Sequence, residues 1–150
     1  MRELTVSAIK EGTVIDHIPA NATFKVVSIL KLQDFPHTVT VATNLESKTM
    51  GKKGLVKVSN KTISKSEADA ISIIAPLATL NIIDNYKVIK KTQLAIPDKL
   101  ENVLLCSNPD CITNHYSTPT TFYVLSKKPL VVRCRYCERI MEEFEIQIKE

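Results

Sequence analysis

Tryptophan is absent from this 150-residue chain, glycine occurs three times, and aromatic residues make up only 5%. No apolar run approaches the roughly 20 residues that a membrane-crossing helix needs. With glycine so scarce, the glycine-rich loop that cradles phosphates has no counterpart, and there is no HExxH pair for a catalytic metal. The three histidines leave little material for acid–base chemistry, and no nucleophile–base–acid arrangement stands out. The opening "MRELTVSAIKEG" lacks the apolar centre of a secretory signal, so a cytoplasmic location is expected. Cysteine is missing from the first two thirds altogether; all four lie between residues 106 and 137.

What is present describes a folded chain. Hydrophobic residues account for 44% and charged residues for 24%, a balance that supports a core. The formal charge of +4 is modest, and four thiolates around one divalent ion would lower it to +2. Lysines are scattered, with short clusters at Lys52-Lys53, Lys90-Lys91 and Lys127-Lys128, which is unlike a nucleic-acid-binding tail. Small anionic ligands remain open.

Apolar and polar residues alternate through Leu4, Val6 and Ala8, as in a half-buried strand. Pro19 and Asn21 then precede "ATFKVVSILKLQ", where Phe24, Val27 and Leu30, widened by Val26 and Ile29, predict an amphipathic helix. "HTVTVAT" and "LVKVS" read as strands on either side of a turn-like "LESKTMGKKG". Ser64 with Glu67 three residues on forms a capping box ahead of a helix whose apolar face is Ala68, Ile71, Ile74 and Ala75, ended by Pro76. "ATLNIID" and "YKVIKK" follow as strands around Asp84-Asn85. Strand, helix, strand, strand, helix, strand is the ferredoxin-like order, here with one extra hairpin strand. The expected class is therefore α+β: an antiparallel sheet with two helices on one face over residues 1–96.

Residues 97–102, beginning with Pro97, read as a linker to a small all-β unit at 103–150 built from "NVLLC", "TFYVLS", "LVVRC" and "EFEIQI". About 50 residues bury little apolar surface, and units of that size usually need a staple. Cys106 and Cys111 are separated by four residues, Cys134 and Cys137 by two, with 22 between the pairs. Two tight pairs joined by an excursion deliver four sulfurs to one tetrahedral ion, and four thiolates favour zinc. A full sulfur shell leaves no open position for water, so the role would be structural. Two disulfides, or a redox CxxC at Cys134 and Cys137, are the competing readings; a reducing compartment disfavours the first, and the second leaves Cys106 and Cys111 unexplained. Nucleic-acid binding, common for zinc ribbons, lacks interleaved aromatic and basic residues here, and a protein partner fits better.

In the first two thirds, Asp16 and His17 interrupt the apolar run of "GTVIDHIPA". Asn81, Asp84, Tyr86 and Lys91 lie along the hairpin "NIIDNYKVIKK". Taken alone, the first is an ordinary turn and the second the charged outer face of a strand. Together, "EGTVIDHIPA", "MGKKGLVKV", "APLATLNIIDNYKV" and the paired cysteines resemble the regulatory chains of aspartate carbamoyltransferase, in order and over essentially the whole chain.

That resemblance implies a non-catalytic subunit with an N-terminal allosteric nucleotide domain and a C-terminal zinc domain. It implies CTP as feedback inhibitor and ATP as activator at one site, in an enzyme of pyrimidine synthesis. It implies regulatory homodimers that join catalytic trimers into a dodecamer, with one structural zinc per chain; charge and hydropathy point to neither nucleic acid nor membrane as a partner. The implied effector site falls on Ala8, Ile9, Val14, Asp16, His17, Lys57, Asn81, Ile83, Tyr86, Val88 and Lys91, with Lys53 a further cation suited to the triphosphate. Zinc falls on Cys106, Cys111, Cys134 and Cys137, and contact with the catalytic chain on Asn108 and Glu138. The rival classes are a zinc-ribbon nucleic-acid binder, an enzyme with an unrecognised site, and a nucleotide sensor of another pathway.

Overall fold

The computed structural model describes residues 8–149. The expected strand through Leu4 and Val6 lies outside them, and Ala8 and Ile9 are not in a strand. The strand that takes its place in the order is β1, Gly12–Pro19, over the stretch read above as an interrupted apolar run. Its alternation explains why: Thr13, Ile15 and Ile18 are buried, while Asp16 and His17 occupy a bulge that shifts the register between Ile15 and Ile18.

A five-stranded sheet has the order β2-β3-β1-β4-β5, with β2 at Val39–Ser47, β3 at Gly51–Ser59, β4 at Thr79–Asp84 and β5 at Lys87–Gln93. Every pairing is antiparallel. This is the expected ferredoxin-like arrangement with β5 added as a hairpin at one edge. The β2–β3 hairpin extends further than the sequence suggested, because Leu45–Ser47 pair with Gly51–Lys53 rather than forming part of one long turn. The β4–β5 turn places both Asn85 and Tyr86 at positive φ (51° and 66°), the type I′ geometry that matches strand twist.

Helix α1, Thr23–Ile29, is shorter than expected, since Lys31 takes a left-handed conformation and a 3-10 turn follows at Leu32–Asp34. Phe24 does not join its buried stripe: it is 67% exposed, while Val26, Leu30 and Leu32 fill the core. Helix α2, Lys65–Ile74, begins with the expected capping box, the Ser64 hydroxyl accepting from the Glu67 amide and Glu67 accepting from the Ser64 amide. Both helices contribute to one core with Ile15, Ile18, Val56 and Val58 of the sheet.

A second core lies around Leu100, Leu104, Phe122, Val132 and Met141, with Cys106, Cys111 and Cys134 in it. Its strands are β6 (Lys99–Glu101), β7 (Leu104–Leu105), β8 (Thr121–Lys127), β9 (Leu130–Cys134), β10 (Ile140–Met141) and β11 (Gln147–Ile148). Two expectations fail here. The residues 97–102 are not simply a linker, because β6 pairs with β8 and Leu100 is fully buried. Nor is "EFEIQI" one strand: Glu143–Glu145 is a 3-10 turn that leaves Phe144 83% exposed, and only Gln147–Ile148 pair. Hydrophobic alternation over so short a stretch did not outweigh the cap formed by Glu142 and Glu145.

Ile71, fully buried on α2, serves as a probe of the first core. Ile71→Ala is expected to lower unfolding free energy by about 2–5 kcal/mol, and Ser64→Ala by about 1 kcal/mol, both read from urea unfolding.

Candidate functional site

Strand register gathers the dispersed candidates of the first unit. Lys57 on β3, Val14 on β1, Asn81 on β4 and Lys91 on β5 are successive cross-strand partners in one transverse row. Ile15 and Val56, the next residues along, point into the helix-packed core, so the row lies on the opposite face. One step away, Gly12, Ile83 and Val88 form a second row on that face. The Tyr86 amide donates to the Lys10 carbonyl at 2.9 Å, which joins the segment carrying Ala8 and Ile9 to the β4–β5 turn. Ile9, Asn81 and Ile83 are buried, whereas Ala8, Tyr86, Val88 and Lys91 are exposed.

The β1 bulge sets the polar end of the site. His17 adopts φ 60°, unusual for a residue with a side chain, and its amide donates to Asp16 Oδ1 at 2.6 Å. Lys53 Nζ lies 2.9 Å from Asp16 Oδ1, and His17 Nδ1 lies 3.2 Å from Thr79 Oγ1. Burial pushes the Asp16 carboxyl up, but the Lys53 and His17 hydrogen bonds and their charges outweigh it, leaving its pKa below the ordinary 3.8. Asn81 Nδ2 donates to the Val14 carbonyl at 3.3 Å, which holds its amide across β1. The face thus offers an ionised acceptor, apolar side chains and several cations, a combination suited to an anionic ligand with a flat apolar part. Thr79 was not singled out by sequence; its place opposite Asp16 follows only from the β1–β4 register. A concavity of about 1030 Å³ lies elsewhere, bordered by Ile73, Leu77, Leu94, Leu130 and Ile148.

The second site is more compact. The four cysteine sulfurs lie within 4.8 Å of one another, with Cys106 to Cys137 at 3.6 Å and Cys111 to Cys134 at 3.8 Å. No disulfide joins them. A tetrahedral ion with metal–sulfur bonds of about 2.3 Å requires sulfur–sulfur edges of about 3.8 Å, so the donor set fits a metal ion. Cys106 follows β7, Cys134 ends β9, and Cys137 belongs to a turn closed by the Glu138 amide donating to the Cys134 carbonyl at 3.0 Å. That turn puts exposed Glu138 at φ 65°.

Burial pushes the Cys106 and Cys134 thiols up, against backbone hydrogen bonds from Asn108, and from Cys137 and Tyr136, respectively. Burial also opposes ionisation of Cys137, but hydrogen bonds from the Asn108 side chain, the Arg139 amide and the other cysteines bring it down to about 7. Asn108 therefore touches the cluster through its side chain, while its Oδ1 accepts from the Asp110 amide. Among the described residues, Ser107 Oγ is the buried side-chain polar atom left without a partner.

Asp16 supplies a pH-dependent test. A carboxyl with a depressed folded pKa contributes stability that is present above its unfolded pKa, near 4, and lost as pH falls through the folded value. Asp16→Asn should therefore be less stable than the unsubstituted chain at pH 7 and pH 5, with the gap closing below about pH 4 in urea titrations.

Two family models cover the chain. Residues 4–95 match the allosteric domain of the aspartate carbamoyltransferase regulatory chain, and residues 98–147 match the metal binding domain of that chain. Aspartate carbamoyltransferase regulatory chains of Pyrococcus abyssi, Pyrococcus horikoshii and Pyrococcus furiosus are each 53% identical over 148 residues, covering 97% of this chain and of theirs. With both units matched in order and nearly full-length identity above half, the chain belongs to the aspartate carbamoyltransferase regulatory chain family and is a regulatory rather than a catalytic subunit.

Proposed function

We propose that this chain binds CTP and ATP competitively on the helix-free face of its five-stranded sheet and passes their effect to catalytic chains of aspartate carbamoyltransferase. The observation that carries this reading is the transverse row of Lys57, Val14, Asn81 and Lys91, with the Asp16–Lys53 pair two residues along β1 from Val14. In this reading Asp16 accepts hydrogen bonds from ribose hydroxyls. Lys91, with Lys53 and His17, meets the triphosphate, and Lys57 lies near ribose and base. Lys91 is exposed and makes no ion pair among the described residues, so its charge is available to an anion. Ile83 and Val88 flank the base, whose edge is read by backbone groups near Ile9 and Tyr86. Charge-assisted contacts of this kind need no glycine loop.

The metal is zinc, held by Cys106, Cys111, Cys134 and Cys137. Four thiolates suit a borderline-soft ion with no geometric demand beyond a tetrahedron. Bound there, zinc acts as a structural cross-link between the two cysteine turns. Asn108 and Glu138, beside those turns, contact the catalytic chain. Regulatory homodimers join two catalytic trimers in a dodecamer, and feedback on pyrimidine synthesis follows from the nucleotide's unequal affinity for two quaternary states. Such coupling is typically about 1–3 kcal/mol.

Native mass spectrometry of the zinc-loaded chain mixed with catalytic trimers should give six catalytic and six regulatory chains. That complex should disappear when zinc is chelated, while CTP remains bound to the regulatory chain. Assembly that survives chelation would overturn the role given to the metal unit. Lys91→Met should weaken CTP binding by about tenfold or more in calorimetry, the loss expected for one charge-assisted contact. Unchanged affinity would remove Lys91 from the site.

A further inference from the structure

The four cysteine sulfurs account for the metal ligands, but a hydroxyl close to one of them is not explained by that motif. Thr113 Oγ1 lies 3.2 Å from Cys111 Sγ. We propose that Thr113 is a positioning residue of the metal centre, its hydroxyl donating a hydrogen bond to the Cys111 thiolate. This rests on the reading of the cysteine cluster as a metal site.

The direction of the bond follows from the chemistry of loading. Between a thiol and a hydroxyl, either group can donate. When a divalent ion binds, the Cys111 proton passes to solvent and the sulfur keeps its electron pair for the metal. The sulfur is then acceptor only, and the proton of the hydrogen bond must come from Thr113. A centre of four thiolates and one divalent ion carries a net charge of −2, so each donor aimed at a sulfur forms a charge-assisted bond and draws charge off the ligand. Partners of this kind fix ligand orientation, and their loss typically costs 10–100-fold in metal affinity.

Thr113 is held where this bond requires it. It sits in the 3-10 turn Ile112–Asn114, half-buried, with the Asn114 amide donating to the Cys111 carbonyl at 2.9 Å. The Asn114 side-chain amide reaches back across the first cysteine pair, donating to the Cys106 carbonyl at 3.0 Å and the Asn108 carbonyl at 2.7 Å. The His115 amide donates to the Ile112 carbonyl at 3.1 Å, which closes the turn on its other side. The turn that carries the hydroxyl is thus tied to the turn that carries Cys106 and Cys111. A threonine merely exposed on a loop would have no such clamp.

Cobalt-loaded full-length chain provides the test, because its thiolate-to-metal charge-transfer band reports the electron density on sulfur. Thr113→Val should move that band to lower energy and speed cobalt release to excess EDTA by about tenfold or more. Thr113→Ser, which keeps the hydroxyl, should restore both. A valine variant with the original band and release rate overturns the proposal, as does a serine variant that behaves like valine. Should the valine chain fail to hold cobalt, the serine chain decides by the same two readouts. A lack of any thiolate band in the unsubstituted chain would instead overturn the metal-centre reading, and the role of Thr113 with it.

Discussion

Helix α2 is shared between two hydrophobic cores, and the rest of the chain is arranged about that sharing. Ile71 and Ala75 close the first core beneath the five-stranded sheet, while Ala70 is buried in the second, with Ile73 packed beside it. A small residue at position 70 lets the second unit approach the helix closely. Ile29 of α1 packs against both cores, so the contact extends beyond a single helix. Because interiors are close-packed, a shift of α2 against one core is felt in the other. The sheet face carrying Asp16 and Asn81 is the reverse of the one on which α2 lies.

The second core has a different kind of support. Cys106, Cys111 and Cys134 are buried in it beside Phe122, Val132 and Met141, so the sulfur cluster and the apolar core are one structure. Burial makes the thiolates unfavourable without a cation and pushes the Cys106 and Cys134 thiols up, so the core favours a cation at the cluster. The short strands around it, two residues each in β7, β10 and β11, offer few backbone bonds of their own. A metal cross-link offsets that shortage where a longer sheet would not need one.

Much of this was legible in the residues alone. The four-cysteine spacing, the Ser64–Glu67 box and the strand–helix order are local patterns whose physics does not depend on distant partners. The same patterns misled where packing or capping decided. Phe24 matches the helical stripe but faces outward, because Leu32, beyond the end of α1, occupies the core instead. "EFEIQI" alternates as a strand should, yet its first half turns in a 3-10 helix, capped by Glu142 and Glu145. The stretch at Gly12–Pro19 hid a central strand because the bulge at Asp16 and His17 breaks its alternation.

By itself, then, the sequence determined which chemistry was available: four thiols in two close pairs, a capped helix, an acid beside a histidine, and lysines without a glycine loop. Tertiary structure alone decided which of these meet. Lys57, Val14, Asn81 and Lys91 are neighbours only because antiparallel register sets β3, β1, β4 and β5 side by side in one phase. Cross-strand register is a long-range hydrogen-bonding outcome, and no spacing along the chain encodes it.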